Sequence, residues 1–353
     1  MKLLIGIIMV LTTLSYCGNS ENYFFTELFK YEDIDKNQEI KSINILDEKN
    51  GYLLGVDYRN SIRYPLGLVL KTTDGGKTFE HMSLGEGTPT FFSRSTDLKT
   101  MYIILIRKGR KKNSDKSILL RSIDNGDTWS IVHSCTEKKI RNVFFYNENI
   151  GFITVQDLYE TKILKTKNGG KSWETIQMPF VSNSIANYIT TDGFLFGIYT
   201  NQNDCIWKLN IFSNEVEQIS IDLPADYIID SFLKFDPIYK LFYILCRQKE
   251  WSNNCLFKIY CINNKKIIDF DYPIGDFNIY GNYISIVSWE RNNEFKSVYY
   301  YSTNAGAKWE KEIPKCRLLS QYAVYGEGCF WSIAEIGEDL MWPLMVRKQS
   351  NEQ

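Results

Sequence analysis

Histidine is nearly absent: His81 and His133 are the only two in 353 residues, and no pair of cysteines has Cys-x-x-Cys spacing. The chain therefore lacks the ligand pattern of a zinc centre and the base of a histidine-dependent active site. No metal and no cofactor is expected. Prolines number only eight, and no long stretch carries apolar residues at the helical period, which argues against a helical bundle. An excess of charge of either sign is missing too, with 41 basic against 42 acidic residues. That balance gives no electrostatic reason to expect nucleic acid or an anionic membrane surface as a partner. The basic run Arg107 to Lys112 reads as a solvated loop tip, because no basic groove accompanies it. Long apolar runs are confined to one, Leu3 to Leu14 behind Lys2. It is too short to span a bilayer comfortably and has the length of a signal-peptide core.

Just after that run, Leu14-Ser15-Tyr16-Cys17 resembles a bacterial lipoprotein signal, in which the cysteine becomes the lipidated first residue. Tyr16 departs from the small residue usual there, and ordinary cleavage after Cys17 is the alternative. The expected division is a signal peptide at 1–16, the lipidated Cys17 with a short tether to 22, and one domain at 23–353. Such a chain is exported and held at a bacterial cell envelope through its N-terminal lipid alone. Seven cysteines remain after Cys17, an odd number that cannot all pair within one chain. Cys246 and Cys255 flank a polar loop that a bridge would staple; buried thiols are the alternative.

What the chain does contain is a repeat. "LVLKTTDGGKTFE" at 68–80 returns as "LLRSIDNGDTWS" at 119–130, "LKTKNGGKSWE" at 164–174 and "YYYSTNAGAKWE" at 299–310. The turn residue is Asp74, then Asp124, Asn168 and Asn304. The first two intervals are 50 and 44 residues, and the last, 136 residues, holds three more of similar length. Two worn copies are thus expected near 213 and 259, where strand–turn–strand patterns stand at 206–221 and 256–270. One further interval reaches Leu344 to Lys348 at the end of the chain, and "YFFTELFKY" at 23–31 can supply the missing fourth strand. The expectation is an all-β, seven-bladed β-propeller of four-stranded antiparallel blades, closed by its N- and C-terminal strands, with six blades as the alternative. Closure removes the open edges that invite aggregation.

The four clear copies match the Asp-box, or BNR, pattern. Its residues are Asp74, Gly76, Thr78 and Phe79; Asp124, Gly126, Thr128 and Trp129; Asn168, Gly170, Ser172 and Trp173; and Asn304, Gly306 and Trp309, with Lys308 in place of the hydroxyl residue. A short Asp or Asn side chain accepts amides within its own turn, and Gly relieves a positive φ. The aromatic, able to bury ~150–250 Å², is expected to pack between blades. These residues read as a structural stitch, because blade symmetry spreads their carboxylates around a rim.

Function is expected on the opposite face, in the loops joining second to third strands: 57–67, 107–117, 247–254, 289–296 and 335–343. They hold Arg59, Arg63, Trp251, Trp289, Arg291 and Trp342, a composition enriched at protein interface hot spots and equally suited to stacking on sugars. Strands beginning near Arg141, Asp230 and Asp276 would bring polar groups to the mouth of the central channel. The binding candidates are Arg59, Arg63, Arg141, Trp251, Trp289 and Arg291; no catalytic residue is assigned.

The boxes, with Gly-aromatic second strands such as "NGYLLGV" and "NIGFITV", resemble the photosystem II assembly-factor-like propellers. That resemblance implies an exported, non-enzymatic scaffold that binds an envelope or extracellular protein. Sialidases carry similar boxes, but their first substrate-holding Arg lies in an Arg-Ile-Pro motif well before the first box. Here Arg63-Tyr64-Pro65 ends nine residues before Asp74, in a loop, which counts against that activity. Another glycosidase needs only two carboxylates roughly 5–9.5 Å apart, for which Asp57, Asp157, Glu250, Glu290 and Glu335 are candidates. Glycan binding or hydrolysis is thus the alternative reading, and whether the protein is an enzyme stays open.

Overall fold

The structure is a computed structural model. It describes residues 23–27 and 37–348, apart from 48, 112–113, 137, 158–159, 180–183, 200–204, 222, 250–256, 271, 293, 313–316, 325–328 and 336–340. The signal segment, Cys17, Trp251 and Cys255 lie outside the described residues, and so do the calls of cleavage, lipidation and a Cys246–Cys255 bridge.

Strand β1 is Tyr23–Glu27. Blade 1 consists of β2 (Gln38–Ile45), β3 (Gly51–Asp57), β4 (Leu66–Thr72) and β5 (Glu80–Glu86). Blade 2 follows with β6 (Thr88–Arg94), β7 (Met101–Arg107), β8 (Lys116–Ser122) and β9 (Ser130–Thr136). Blade 3 has β10 (Lys139–Phe145), β11 (Gly151–Gln156), β12 (Thr161–Thr166) and β13 (Glu174–Thr175). Blade 4 has β14 (Ser184–Ile189), β15 (Phe194–Tyr199), β16 (Cys205–Asn210) and β17 (Val216–Ile219). Blade 5 has β18 (Tyr227–Asp236), β19 (Leu241–Gln248), β20 (Phe257–Cys261) and β21 (Ile267–Phe270). Blade 6 has β22 (Ile274–Tyr280), β23 (Tyr283–Asn292), β24 (Glu294–Ser302) and β25 (Glu310–Glu312).

These six antiparallel blades of consecutive strands make the chain an all-β propeller, and their number is the one held as the alternative. A terminal sheet stands beside them. In it β26 (Arg317–Val324), β27 (Cys329–Glu335) and β28 (Met341–Lys348) are completed by β1, with Tyr23 opposite Lys348 and Glu27 opposite Leu344. Its pairing is described and its side chains are not. Strand β26 lies beside β2 on one side and β22 on the other.

Middle strands such as β3 (GYLLGVD) are buried along their whole length, whereas outer strands such as β5 are largely exposed. The reason is that a middle strand is covered on both faces by neighbouring blades, so its sequence runs apolar without alternation. The core is accordingly a set of layers between blades. Tyr52, Leu54 and Val69 of blade 1 pack on Ile103, Leu105 and Ile118 of blade 2. Phe152 and Ile163 of blade 3 meet Leu195, Trp207 and Leu209 of blade 4. Leu245 and Ile259 of blade 5 meet Phe277, Ile286 and Tyr300 of blade 6.

The repeated turns behave as local hydrogen-bonded units. In the first, the Thr78 amide donates to Asp74 Oδ1 at 3.0 Å, the Thr78 hydroxyl to Oδ2 at 2.6 Å, and the Gly76 amide to Thr72 Oγ1 at 2.9 Å. The second repeats this with Thr128 on Asp124 and Gly126 on Ser122. Asn168 does the same with one reversal: its Nδ2 donates to Ser172 Oγ at 2.8 Å. At Asn304 the Lys308 amide still donates at 2.8 Å, so losing the hydroxyl residue removes one bond and keeps the turn. Two successive residues after each Asp or Asn have positive φ, with Asn125 and Ala305 at 56° joining the glycines. The aromatics reach back onto the preceding blade. Trp129 packs on the layer holding Tyr52, Trp173 lies 5.5 Å from His133, and Trp309 lies 5.1 Å from Phe270. The worn copies form simple turns between β16 and β17 and between β20 and β21, where the arithmetic placed them.

Two outcomes are expected. Gly197 of β15 sits across from Trp207, and a Cβ there would strike that indole and the Ile185 carbonyl. Gly197→Ala should therefore cost about 1–3 kcal/mol through overpacking, read by thermal denaturation; an unchanged midpoint would contradict this packing. The second concerns acid. Thr78 holds Asp74, and Thr128 holds Asp124, at a pKa of about 2, down from 3.8. A depressed carboxylate stabilises the fold above its unfolded pKa, and that contribution is lost as pH falls through the folded value. Stability should drop between pH 4 and 2, and Asp74→Asn with Asp124→Asn should flatten that drop while leaving neutral-pH stability nearly unchanged, as Asn168 already does the same task. Denaturant melts at both pH values give the comparison; a drop just as steep in the double variant would refute it.

A ring of bulges as the candidate binding face

The first strand of each sheet touches the first strand of the next, so these strands line the axis. Each slips register against its second strand, and each does so before its midpoint or close to it. The unpaired residue is Lys41, Thr90, Arg141, Asn187 or Gly275 in blades 1, 2, 3, 4 and 6. In blade 5 the slip spans 230–232, and in the terminal sheet 319–321. A bulge takes one residue out of the ladder and re-aims it, and such features concentrate near functional sites. All fall toward the end of the ring opposite the repeated turns, because β2 starts across from the end of β3, where the 58–65 loop begins. An arc of polar residues in blades 1 to 5 thus borders the channel mouth on the face expected to bind.

The partners of these groups differ. Arg141 is exposed and donates from Nε to Gln156 Oε1 at 2.5 Å. Lys41 pairs with Glu39. The Asn187 side-chain oxygen accepts the Ile198 amide at 3.1 Å, and Asp230 lies 3.9 Å from Arg247 Nε. Between blades 5 and 6, Lys234 Nζ sits 2.9 Å from buried Asp276, whose carboxyl burial pushes up. Asn142 clasps blade 4 by donating to the Ala186 carbonyl at 2.5 Å. The mouth therefore has fixed polar walls with Arg141 and Thr90 presented outward.

The other candidates divide. Arg59 is engaged with Asp57 through Nε at 2.8 Å and through its own amide at 3.0 Å, which holds Asp57 at a pKa of about 2. Arg63 is exposed, its guanidinium 5.5 Å from the Tyr64 ring. At the two ends of the 108–115 loop, Asp115 accepts Lys108 Nζ at 3.0 Å and the Gly109 amide at 2.9 Å. The expected loop at 289–296 is instead a continuation of β23 and β24, paired up to Asn292 opposite Glu294. Alternating β-prone residues extend the hairpin there, so Trp289 and Arg291 are strand residues, their side chains outside the description, like that of Trp342. Of the carboxylates weighed for hydrolysis, Asp57 is tied to Arg59 and Asp157 accepts the Glu160 amide at 2.9 Å; the other three lie outside the described side chains. Among the described residues no group of three or more His, Cys, Asp or Glu could hold a metal. Two clefts, of about 400 and 220 Å³, lie along the outer part of blades 1 and 2, the larger lined by Met82, Arg107, Asp127 and Trp129. The smaller lies in blade 1 and reaches its loop-face end, where Gln38, Asp57 and Arg59 line it.

Sequence inspection picked out Arg141 and Asp230 and missed Lys41, Thr90 and Asn187. Their shared mark is an apolar residue followed at once by a polar one early in each first strand: Ile40-Lys41, Pro89-Thr90, Ile140-Arg141, Ala186-Asn187 and Ile229-Asp230.

The architecture places the chain among β-propellers, a class that known structures match across nearly its whole length. YCF48 from Cyanidioschyzon merolae superposes with a TM-score of 0.60 at 16% identity, covering 92% of this chain and 98% of that one. YCF48 bound to a D1 peptide gives 0.58 at 12% identity, covering 96% and 99%. A polysaccharide lyase, the PL25 ulvan lyase, gives 0.56 at 8%, covering 89% and 95%. Identities this low establish a shared fold. No family model and no curated protein matches the sequence.

The Asp57 contacts separate structural from binding arginines. Arg59→Ala should cost about 1–2 kcal/mol, at the low end for a pair with one buried partner because the guanidinium is more than half exposed. It should also return the Asp57 pKa upward, as followed by carboxyl NMR titration. Arg141→Ala should leave stability within about 0.5 kcal/mol, as surface substitutions usually do; equal losses in the two variants would overturn the distinction.

Proposed function

We propose that the chain is an exported, lipid-anchored, non-enzymatic propeller that holds a protein partner over the channel mouth. In this reading the terminal sheet serves as a seventh blade that closes the ring, the repeated turns are Asp boxes, and Cys17 carries the lipid. The observation that carries the proposal is the ring of bulges, which puts a polar residue out of the ladder in each of five successive first strands, at the same depth in blades 1 to 3. A scaffold function asks for such a face: fixed, polar and broad. The same fold receives a D1 peptide in YCF48, which supports a protein ligand over a small molecule.

Cross-linking capture from intact membranes tests this, comparing the wild-type chain with Arg63→Glu and Arg141→Glu. Both arginines are exposed at the proposed face, so the variant should fold normally, which its melting midpoint checks. A stoichiometric protein partner captured by the wild type and lost from the variant is the expected result. Equal capture by both, or capture of glycan alone, would overturn the reading.

A further inference from the structure

The rim carrying the repeated turns is not uniform in charge. Blades 1 to 4 place Asp74, Asp97, Asp124, Asp127, Glu148 and Asp192 on it, interspersed with lysines. Blades 5 and 6 place Lys240, Lys265, Lys266 and Lys308 there, all exposed. The rim turns of these two blades, at 237–240, 262–266, 281–282 and 303–309, contain no carboxylate. The nearest acids are spent. Asp236 is fully buried beneath the first of these turns and accepts the Ile238 and Gly281 amides at 2.9 Å. Glu310 accepts the Tyr301 hydroxyl at 2.5 Å. Asn304 does the work that an aspartate does in blades 1 and 2 without adding a negative charge. The turns are also physically joined: Lys266 Nζ donates to the Ala305 carbonyl at 3.2 Å, and Gly281 packs on Ile238.

Amid these lysines stand large apolar side chains. Ile238 and Tyr239, at the tip of the β18–β19 hairpin, are each 49% exposed, and Ile267 is 36% exposed. A third feature falls on the same rim. Tyr23 pairs with Lys348 at the end of β28, the position equivalent to the repeated turns in the other blades. The lipid that the proposed function places on Cys17, six residues before Tyr23, would therefore join the domain from this face.

We infer that the lysine-rich sector of blades 5 and 6 rests on an anionic lipid surface, with Ile238 and Tyr239 entering the headgroup boundary. Lysines supply attraction to lipid phosphates, and an aliphatic–aromatic tip supplies apolar contact. Attachment of the chain from the same rim favours a bilayer over an acidic protein as the occupant. The sector then fixes orientation: the bulge ring faces away from the membrane.

Hydrogen exchange of the full chain, on vesicles of phosphatidylcholine alone or mixed with phosphatidylglycerol, tests this. A lipid on Cys17 can hold the chain on either vesicle, so local protection is read rather than binding. The expected result is protection of 236–241 and 261–267 on the mixed vesicles only. It should be lost at high salt and in a variant combining Lys240→Gln, Lys265→Gln, Lys266→Gln and Lys308→Gln. Ile238→Ser with Tyr239→Ser should weaken it separately. If the four-lysine variant misfolds, the salt arm on the wild type decides. Protection that is absent, equal on both vesicles, or insensitive to salt overturns the inference. So does protection by soluble polyglutamate without protection by vesicles, which would mark the sector as a site for acidic protein.

Discussion

Each blade is apolar on both faces, and a sheet of that kind can be buried only between two others. This constraint organises the molecule. It turns the core into a succession of layers, makes the middle strands run apolar without alternation, and leaves the outer strands to solvent. It also explains the direction of the repeated aromatics. Trp129, Trp173 and Trp309 sit near the periphery, where the wedge between blades widens, and each reaches back to fill it against the preceding blade. The Asp or Asn beneath holds the turn so that the ring arrives in place. The hydrogen bonds of these turns are thus subordinate to the apolar layer, and Asn serves as well as Asp because geometry is required and charge is not.

Much of this was legible in the sequence because it recurs. Spacing located the turns of blades 4 and 5 although both have lost the repeated residues, since blade length is set by the number of strands needed to span from axis to rim. Features that depend on one residue or on pairing were harder to see. An apolar residue followed by a polar one is common in any half-buried strand, so Lys41 and Asn187 look like ordinary strand residues until their partners are known. Arg59 reads as an interface arginine by type, yet its neighbour Asp57 claims it. The segment Trp289 to Lys296 looks polar enough for a loop, and continued cross-strand pairing makes it sheet. Net charge misled in another way: a value near zero averages an acidic arc against a basic one, and only the ring order separates them.

The two faces of the ring are built by different means. Opposite the turns, local slips in the innermost strands put side chains around a mouth whose depth the sheets hold constant. On the turn side, tight loops of two successive left-handed residues keep the rim short, so what projects is decided by a few side chains at their tips. A surface of the first kind suits a partner that must be positioned, and a surface of the second suits contact with something flat. Under the two proposals these separate demands fall at opposite ends of one axis.

The pairing of β1 with β28 bears on how the chain acquires its structure. Blades 1 to 6 each consist of neighbouring segments and can form as the chain emerges, through contacts that are short in sequence. The terminal sheet joins the two ends of the domain, so β1 has no partner until β28 is made. Contacts of such long range are slow to form, and the final step of assembly is the meeting of the ends. Until then β28 presents an unpaired edge, and in that interval the chain is exposed to misassembly with another copy.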